Sequence, residues 1–202
     1  HYDFAGNVTR YGSKYELLIL PVILLLISFG SRFLLLHLRR KAEQAESDKE
    51  RQAAAANAKV LGIVIFSQTL ILSCIQGVLL YNTVLALRGE SFLSTFAGEK
   101  LMTILCGSLL LMLGDILPKC RRNGVVGFRL SWTKYNDLTW QKSNRFAGMM
   151  LVAAGALGIV STVFAPKGYG MFLLSIYIMA AIVISTVRAW QVYREEKAKE
   201  QS

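Results

Sequence analysis

Residues that commonly carry catalysis or bind metals are scarce in this chain of 202 residues. It has two histidines, His1 and His37, and three cysteines, Cys74, Cys106 and Cys120. The cysteine count is odd and no spacing matches a disulfide framework or a zinc site. No Ser/His/Asp arrangement and no phosphate-binding loop is evident either. We therefore expect three reduced thiols, no bound metal, no cofactor and no enzymatic activity.

Acidic residues are also few, with 13 Asp and Glu against 23 Lys and Arg, which gives a net charge of +10. A charge of this size suits either nucleic acid or an anionic membrane surface. The chain is 53% hydrophobic, its mean hydropathy is +0.41, and its apolar residues are concentrated in long runs. This pattern is typical of a membrane protein, so we expect contact with the lipid bilayer and no direct contact with nucleic acid.

Five apolar segments are long enough, with their flanks, to cross a hydrocarbon core of about 30 Å as helices. A helix satisfies every backbone polar group within lipid, so the predicted fold is an all-α polytopic membrane bundle. The predicted spans are 14–38, 60–87, 101–117, 146–165 and 169–193. The predicted segments outside the membrane are 1–13, 39–59, 88–100, 118–145, 166–168 and 194–202.

The positions of Lys and Arg predict the orientation of the spans. Sixteen of these cations lie in 39–59, 118–145 and 194–202, and five lie on the other side: four in the outer segments, and Lys14 at the outer end of the first span. The positive-inside rule places the sixteen, and with them the C-terminus, in the cytoplasm. The chain begins on His1 without a methionine, and its predicted outer start leads us to expect one further helix before it. The complete protein would then have six spans.

The polar residues that we select within the predicted spans are Gln68, Gln76, Asn82 and Asp115. Polar groups within a membrane are candidate functional residues. The three amides either form hydrogen bonds between helices, at about 0.6 kcal/mol each, or line a polar path. Asp115 is one turn from the end of its span, and we expect it to pair with a nearby cation.

The basic segment 118–145 contains turn, capping and aromatic signals. Pro118 is expected to end the third helix, and Asn136-Asp137 to cap a helix that continues into the fourth span. Trp132 and Trp140 are expected at the level of the lipid headgroups. The composition is not that of a floppy linker, so we predict an ordered platform.

The cations of this segment leave two interpretations open. Arg129, Lys142 and Arg145 could contact lipid phosphates or an acidic partner. Alternatively, the segment serves as a positively charged connection that fixes the topology and binds nothing specific.

The same segment resembles the signature of the SdpI family of bacterial membrane proteins. The residues that carry this resemblance are Gly114, Leu117, Pro118, Lys119, Asn123, Gly127, Phe128, Arg129, Trp132, Thr133, Trp140, Lys142 and Arg145. The start of the chain resembles the short outer module that often precedes the signature, through His1, Gly6, Tyr11, Gly12, Ser13 and Lys14. The chain differs from the family pattern at Asp115, Arg122 and Asn144, where Asn, Pro and His are common. Without that His, the loop has no group that titrates near neutral pH.

The resemblance implies an immunity-type or signalling-type protein of the bacterial plasma membrane. The namesake of the family protects a producing cell from a secreted toxic peptide and sequesters a transcriptional repressor. We therefore expect a toxic peptide as the outer partner and a repressor as the cytoplasmic partner, with the signature residues forming the binding surface. A small membrane transporter or channel is the alternative, although no acidic residue lies at the middle of the membrane.

Overall fold

The structure, a computed structural model, describes residues 9–10, 12–44, 47–90, 92, 96–122 and 126–200. Within these residues it has five α-helices and three short 3-10 helices, and no strand. Each of the five helices is long and apolar enough to cross a membrane. The predicted all-α polytopic bundle is therefore confirmed.

The five helices are α1 (Ile19–Glu43), α2 (Asp48–Ala86), α3 (Phe96–Ile116), α4 (Asp137–Phe164) and α5 (Gly170–Lys199). The 3-10 helices are Lys14–Leu18, Leu117–Lys119 and Trp132–Lys134. The polar segment 39–59 is mostly helical and lengthens both α1 and α2. Its Ala, Glu, Gln and Lys are strong helix formers, which explains why these helices continue beyond their apolar runs.

The first helical turn begins at a capping box. The Ser13 hydroxyl accepts a hydrogen bond from the Tyr15 amide at 3.4 Å, and the Glu16 carboxylate accepts one from the Ser13 amide at 3.3 Å. These bonds satisfy two backbone donors that a helix start leaves open. Gly12 precedes this cap, whereas His1, Gly6 and Tyr11, the other expected outer residues, lie outside the described residues.

Helices α3 and α4 approach closely at two pairs of glycines. A Cβ added to Gly114 would lie 2.6 Å from the carbonyl oxygen of Gly148, and one added to Gly155 would lie 2.7 Å from that of Gly107. The glycines are seven residues apart on each helix, so both pairs lie on one face. Small residues allow such close packing of helices within a membrane.

Helices α1 and α2 form a hairpin that packs against this bundle near one end. Leu38, Ala58 and Leu61 form a buried cluster with Val126. On the neighbouring face, Val60 and Val64 of α2 pack against a second cluster, formed by Ile116, Cys120 and Trp140. The segment between α3 and α4 therefore lies between the hairpin and the bundle.

At the opposite end of the bundle, Glu99 of α3 contacts the turn between α4 and α5. Its carboxylate accepts hydrogen bonds from the amides of Gly168 at 2.7 Å and Gly170 at 3.0 Å, in the turn between α4 and α5. Gly168 has a φ of +90°, a conformation that favours glycine, and lies in the short connection predicted at 166–168. Glu99 was not predicted as a contact residue, because the sequence pattern near its own helix does not reveal this distant turn.

Candidate functional site

The segment between α3 and α4, together with the first turns of α4, forms an ordered unit that we call the platform (residues 117–122 and 126–145). The Trp140 ring lies at its centre and is 2% exposed. The indole Nε1–H of Trp140 donates a hydrogen bond to the carbonyl oxygen of Cys120 at 2.9 Å. A buried donor with a partner is stabilising, whereas the same donor without one would be costly. Trp140 thus joins the end of α3 to the start of α4.

Asn144 of α4 connects the loop to this helix through two side-chain hydrogen bonds. Its side-chain oxygen accepts a hydrogen bond from the Phe128 amide at 2.7 Å, and its side-chain nitrogen donates to the Trp140 carbonyl at 3.0 Å. Asn144 is 1% exposed, so both polar groups are satisfied within the protein. In the sequence, Asn144 stood out only as a departure from the family pattern, and its structural role was not predicted.

Gly127 allows the loop to pass close to these side chains. Its φ is +134°, a value that L side chains rarely adopt. A Cβ at this position would lie 2.6 Å from the Trp140 ring and 2.8 Å from the Asn144 side-chain oxygen. Glycine is therefore required here by both the backbone conformation and the space available.

Thr133 holds the next turn of the platform. Its hydroxyl accepts a hydrogen bond from the Leu130 amide at 3.0 Å and lies 2.9 Å from the carbonyl oxygens of Phe128 and Leu130. The side chain is completely buried. The α4 helix then starts at Asn136, whose side chain accepts a hydrogen bond from the Thr139 amide at 2.7 Å, as the sequence predicted.

The platform is joined to the end of α5 by aromatic contacts. The rings of Trp132 and Trp190 meet edge to face with centroids 5.4 Å apart, and those of Tyr135 and Tyr193 do so at 5.1 Å. Such pairs contribute more than the area they bury. The Tyr135 hydroxyl also donates a hydrogen bond to the Glu200 carboxylate.

An ion pair adds to this junction. Lys142 contacts Glu196 at 3.0 Å, and the carboxylate also accepts from Lys199 at 3.1 Å. Glu196 is largely buried, so two cations compensate a carboxylate that is withdrawn from water. The residues near the end of α5 in these contacts were not predicted, although four aromatic or acidic side chains near the end of a span offered a weak signal.

Helix α2 also contacts the platform through a hydrogen bond near its extended end. The Asn57 side-chain oxygen accepts from the Arg121 amide at 3.1 Å, and Asn57 is buried. Arg122 is held on the other side by Asp137, with 2.8 Å between Nε and Oδ1. The platform is therefore tied to α2, α4 and α5 by separate polar contacts.

The predicted site residues take two different positions. Gly127, Thr133 and Trp140 lie inside and shape the platform. Arg129 and Arg145 lie on its surface. Asn123 lies outside the described residues.

Two predictions about the end of the third span are met in the structure, those for Asp115 and Pro118. Asp115 pairs with Lys119 at 2.5 Å, as the sequence predicted, and Pro118 falls in the 3-10 turn that follows α3. Asn82 is completely buried in α2, whereas Gln68 and Gln76 are half-buried. These three amides are not brought together with the platform.

Burial and a neighbouring carboxylate shift two pKa values in the platform. Burial raises the pKa of the Cys120 thiol to about 11, so the reactive thiolate is scarce at neutral pH. The hydrogen bond from Tyr135 to Glu200, together with desolvation and the carboxylate charge, raises the pKa of the Tyr135 phenol. Neither group is poised for catalysis at neutral pH.

Five membrane-length helices with an ordered, cation-rich connection define a polytopic α-helical membrane protein with a platform at one end of its bundle. Residues 119–188, which include most of the platform, α4 and the greater part of α5, match the model of the SdpI/YfhL protein family. The chain is therefore a polytopic membrane protein that is similar, over these residues, to the SdpI/YfhL family.

A curated relative shows a similarity of the same kind over part of the chain. The chain is 28% identical over 89 residues to Immunity protein SdpI of Bacillus subtilis (strain 168). The match covers 44% of this chain and 42% of the relative, so the chain matches less than half of that protein. No solved structure matches significantly.

Proposed function

We propose that this protein is an immunity-type membrane protein that protects a bacterial cell against a secreted toxic peptide and sequesters a cytoplasmic repressor. The observation that carries the proposal is the match of residues 119–188 to the SdpI/YfhL family. The similar protein with a curated name is an immunity protein. The platform supplies a cationic surface for the repressor, with Arg129 and Arg145 exposed on it.

The proposed orientation places the platform and the C-terminus in the cytoplasm of a bacterial cell. The distribution of sixteen cations against five supports it. A single cysteine introduced at the exposed Ser131 of a cysteine-free variant tests it with a membrane-impermeant thiol reagent. Labelling only after the cells are opened is the expected result, and labelling of intact cells contradicts the orientation.

Protection is tested by expressing the chain in a toxin-sensitive strain that lacks its own immunity protein. Growth in the presence of the secreted toxic peptide is the expected result. Wild-type levels of the protein in the membrane without any protection would contradict the immunity function. Solute flux through the purified protein in proteoliposomes would instead favour a transporter or channel.

Arg129→Lys separates a specific contact from simple charge. A planar guanidinium binds a carboxylate through two parallel hydrogen bonds, and an ammonium does not reproduce this geometry. We expect Arg129→Lys to impair protection or signalling at normal expression. Arg88→Lys, the same change near the other end of the bundle, is the matched control and should leave function intact. Full activity of Arg129→Lys would refute a specific contact.

A further inference from the structure

A cavity of about 340 Å³ opens where the platform meets α2 and the start of α4. Three cations line it, Lys119, Arg121 and Arg122, against one carboxylate, Asp137. The remaining lining residues are Ala53, Pro118, Cys120, Trp140 and Gln141. The net charge of the lining is positive, and a concave positive surface attracts anions.

Two of these cations are oriented by exposed ion pairs. Lys119 Nζ lies 2.5 Å from Asp115, and Arg122 Nε lies 2.8 Å from Asp137, with all four side chains well exposed. Ion pairs of this kind are weak in water, so an anion can share the cation or replace the carboxylate. The Arg122 guanidinium also donates to the carbonyl oxygen of Lys134 at 3.3 Å. This second contact keeps the Arg122 guanidinium in place when the Asp137 carboxylate moves.

The level of the cavity relative to the membrane indicates which anion it binds. Helix α3 and the 3-10 turn after it end at Lys119, directly after the apolar run of the third predicted span, so this membrane-length helix ends at the cavity. The ends of spans lie at the edge of the hydrocarbon core, where lipid phosphates are concentrated. A guanidinium matches the geometry of a phosphate, and an ammonium adds a compact positive charge beside it.

We propose that this cavity binds the phosphate of an anionic phospholipid, with Arg122 and Lys119 as its principal ligands. The bound headgroup would bridge the platform, the start of α4 and the extended end of α2. This site is distinct from a surface for a repressor and does not depend on the immunity function.

Native mass spectrometry of the full chain in detergent tests the proposal. The protein is mixed with equal amounts of phosphatidylglycerol and phosphatidylcholine, and the bound lipids are counted. The wild type should retain phosphatidylglycerol preferentially. Lys119→Gln and Arg122→Gln should each reduce this retention by about fivefold, and the double variant by roughly twentyfold.

Lys134→Gln is the matched control, because it removes one charge from the same loop at a residue that does not line the cavity. It should leave retention unchanged. Circular dichroism and tryptophan emission check the fold, and if Arg122→Gln disturbs them, Lys119→Gln carries the test. Unchanged retention in Lys119→Gln would overturn the proposal, as would an equal loss in Lys134→Gln.

A final arm separates lipid from soluble phosphate. Inorganic phosphate is added at an ionic strength matched by chloride. Equal effects of the two salts on retention support a lipid ligand. Stronger displacement by phosphate than by chloride would show that the cavity prefers a soluble phosphate, which overturns the assignment to lipid.

Discussion

The glycines of the α1–α2 hairpin and those of the α3–α5 bundle have different surroundings. A Cβ added to Gly30, Gly62 or Gly77 in the hairpin would have nothing within 4 Å. In the bundle, a Cβ on Gly114 or Gly148 would overlap the backbone of the neighbouring helix. The same residue type is therefore replaceable in one region and required in the other.

Burial shows the same contrast between the two regions. None of the most apolar 18-residue window of α1 is buried within the protein, compared with 33% of that of α4. The hairpin leaves most of its apolar surface to lipid, whereas α3, α4 and α5 pack on one another. By this measure α1 is the least and α4 the most closely packed of the five described helices, and the hairpin packs against the bundle near one end.

The largest effect is expected for Gly127→Ala. The new Cβ would be strained at a φ of +134° and would overlap the Trp140 ring. Strain and overpacking together should lower the free energy of unfolding by about 3 kcal/mol. Unfolding in SDS, followed by circular dichroism, measures this loss. Gly62→Ala in the hairpin is the control and should cause none, so equal midpoints for the two variants would contradict the comparison.

Gly114→Ala tests the close approach of α3 and α4. A Cβ 2.6 Å from the Gly148 carbonyl oxygen must separate the two backbones, at a cost of about 1–3 kcal/mol. Gly77→Ala in α2 adds the same atom to open space. It should be neutral or slightly stabilising, because alanine favours the helix over glycine by up to about 1 kcal/mol. A loss in Gly77→Ala as large as that in Gly114→Ala would mean that the hairpin is packed as tightly as the bundle.

Asn144→Ala removes a polar clasp from the platform. The Phe128 amide would lose its acceptor, and we expect a loss of about 1–2 kcal/mol. Gln76→Ala truncates a half-buried amide in the hairpin and should change the unfolding midpoint by less than about 0.5 kcal/mol. Hydrogen exchange should also accelerate at residues 126–130 in Asn144→Ala alone. Unchanged exchange there would show that Asn144 does not hold the loop.

The smallest effect concerns the pH dependence of the contact between the platform and α5. The pKa of Tyr135 is raised by the Glu200 carboxylate, so the folded state holds this proton more tightly than the unfolded state. The contribution is fully present below the ordinary phenol pKa of about 10 and is lost as pH rises through the raised value.

Unfolding midpoints of the wild type and Tyr135→Phe should therefore differ slightly below pH about 10 and converge above it. In a Glu200→Gln background the difference should be smaller and nearly independent of pH, as a double-mutant cycle would show. A difference that grows with rising pH has the wrong sign for this hydrogen bond.

Local patterns in the sequence were sufficient for several features. The apolar runs predicted the five helices, because only helices satisfy the backbone within lipid. Asn136 predicted the start of α4, and the four-residue spacing of Asp115 and Lys119 places the two side chains on one helix face. In each case the interacting groups lie within one turn of each other along the chain.

Contacts between distant residues were decided by the tertiary structure alone. Asn144 meets Phe128 across 16 residues, and Glu99 meets Gly168 across 69. The two glycine pairs and the docking of the platform on α5 likewise depend on how the helices cross. A hydrophobic run specifies that a helix forms and spans, but it does not specify its rotation or its neighbours, since lipid and protein are similarly apolar. The close packing of the helix backbones and the pairing of buried polar groups select one arrangement of the five helices.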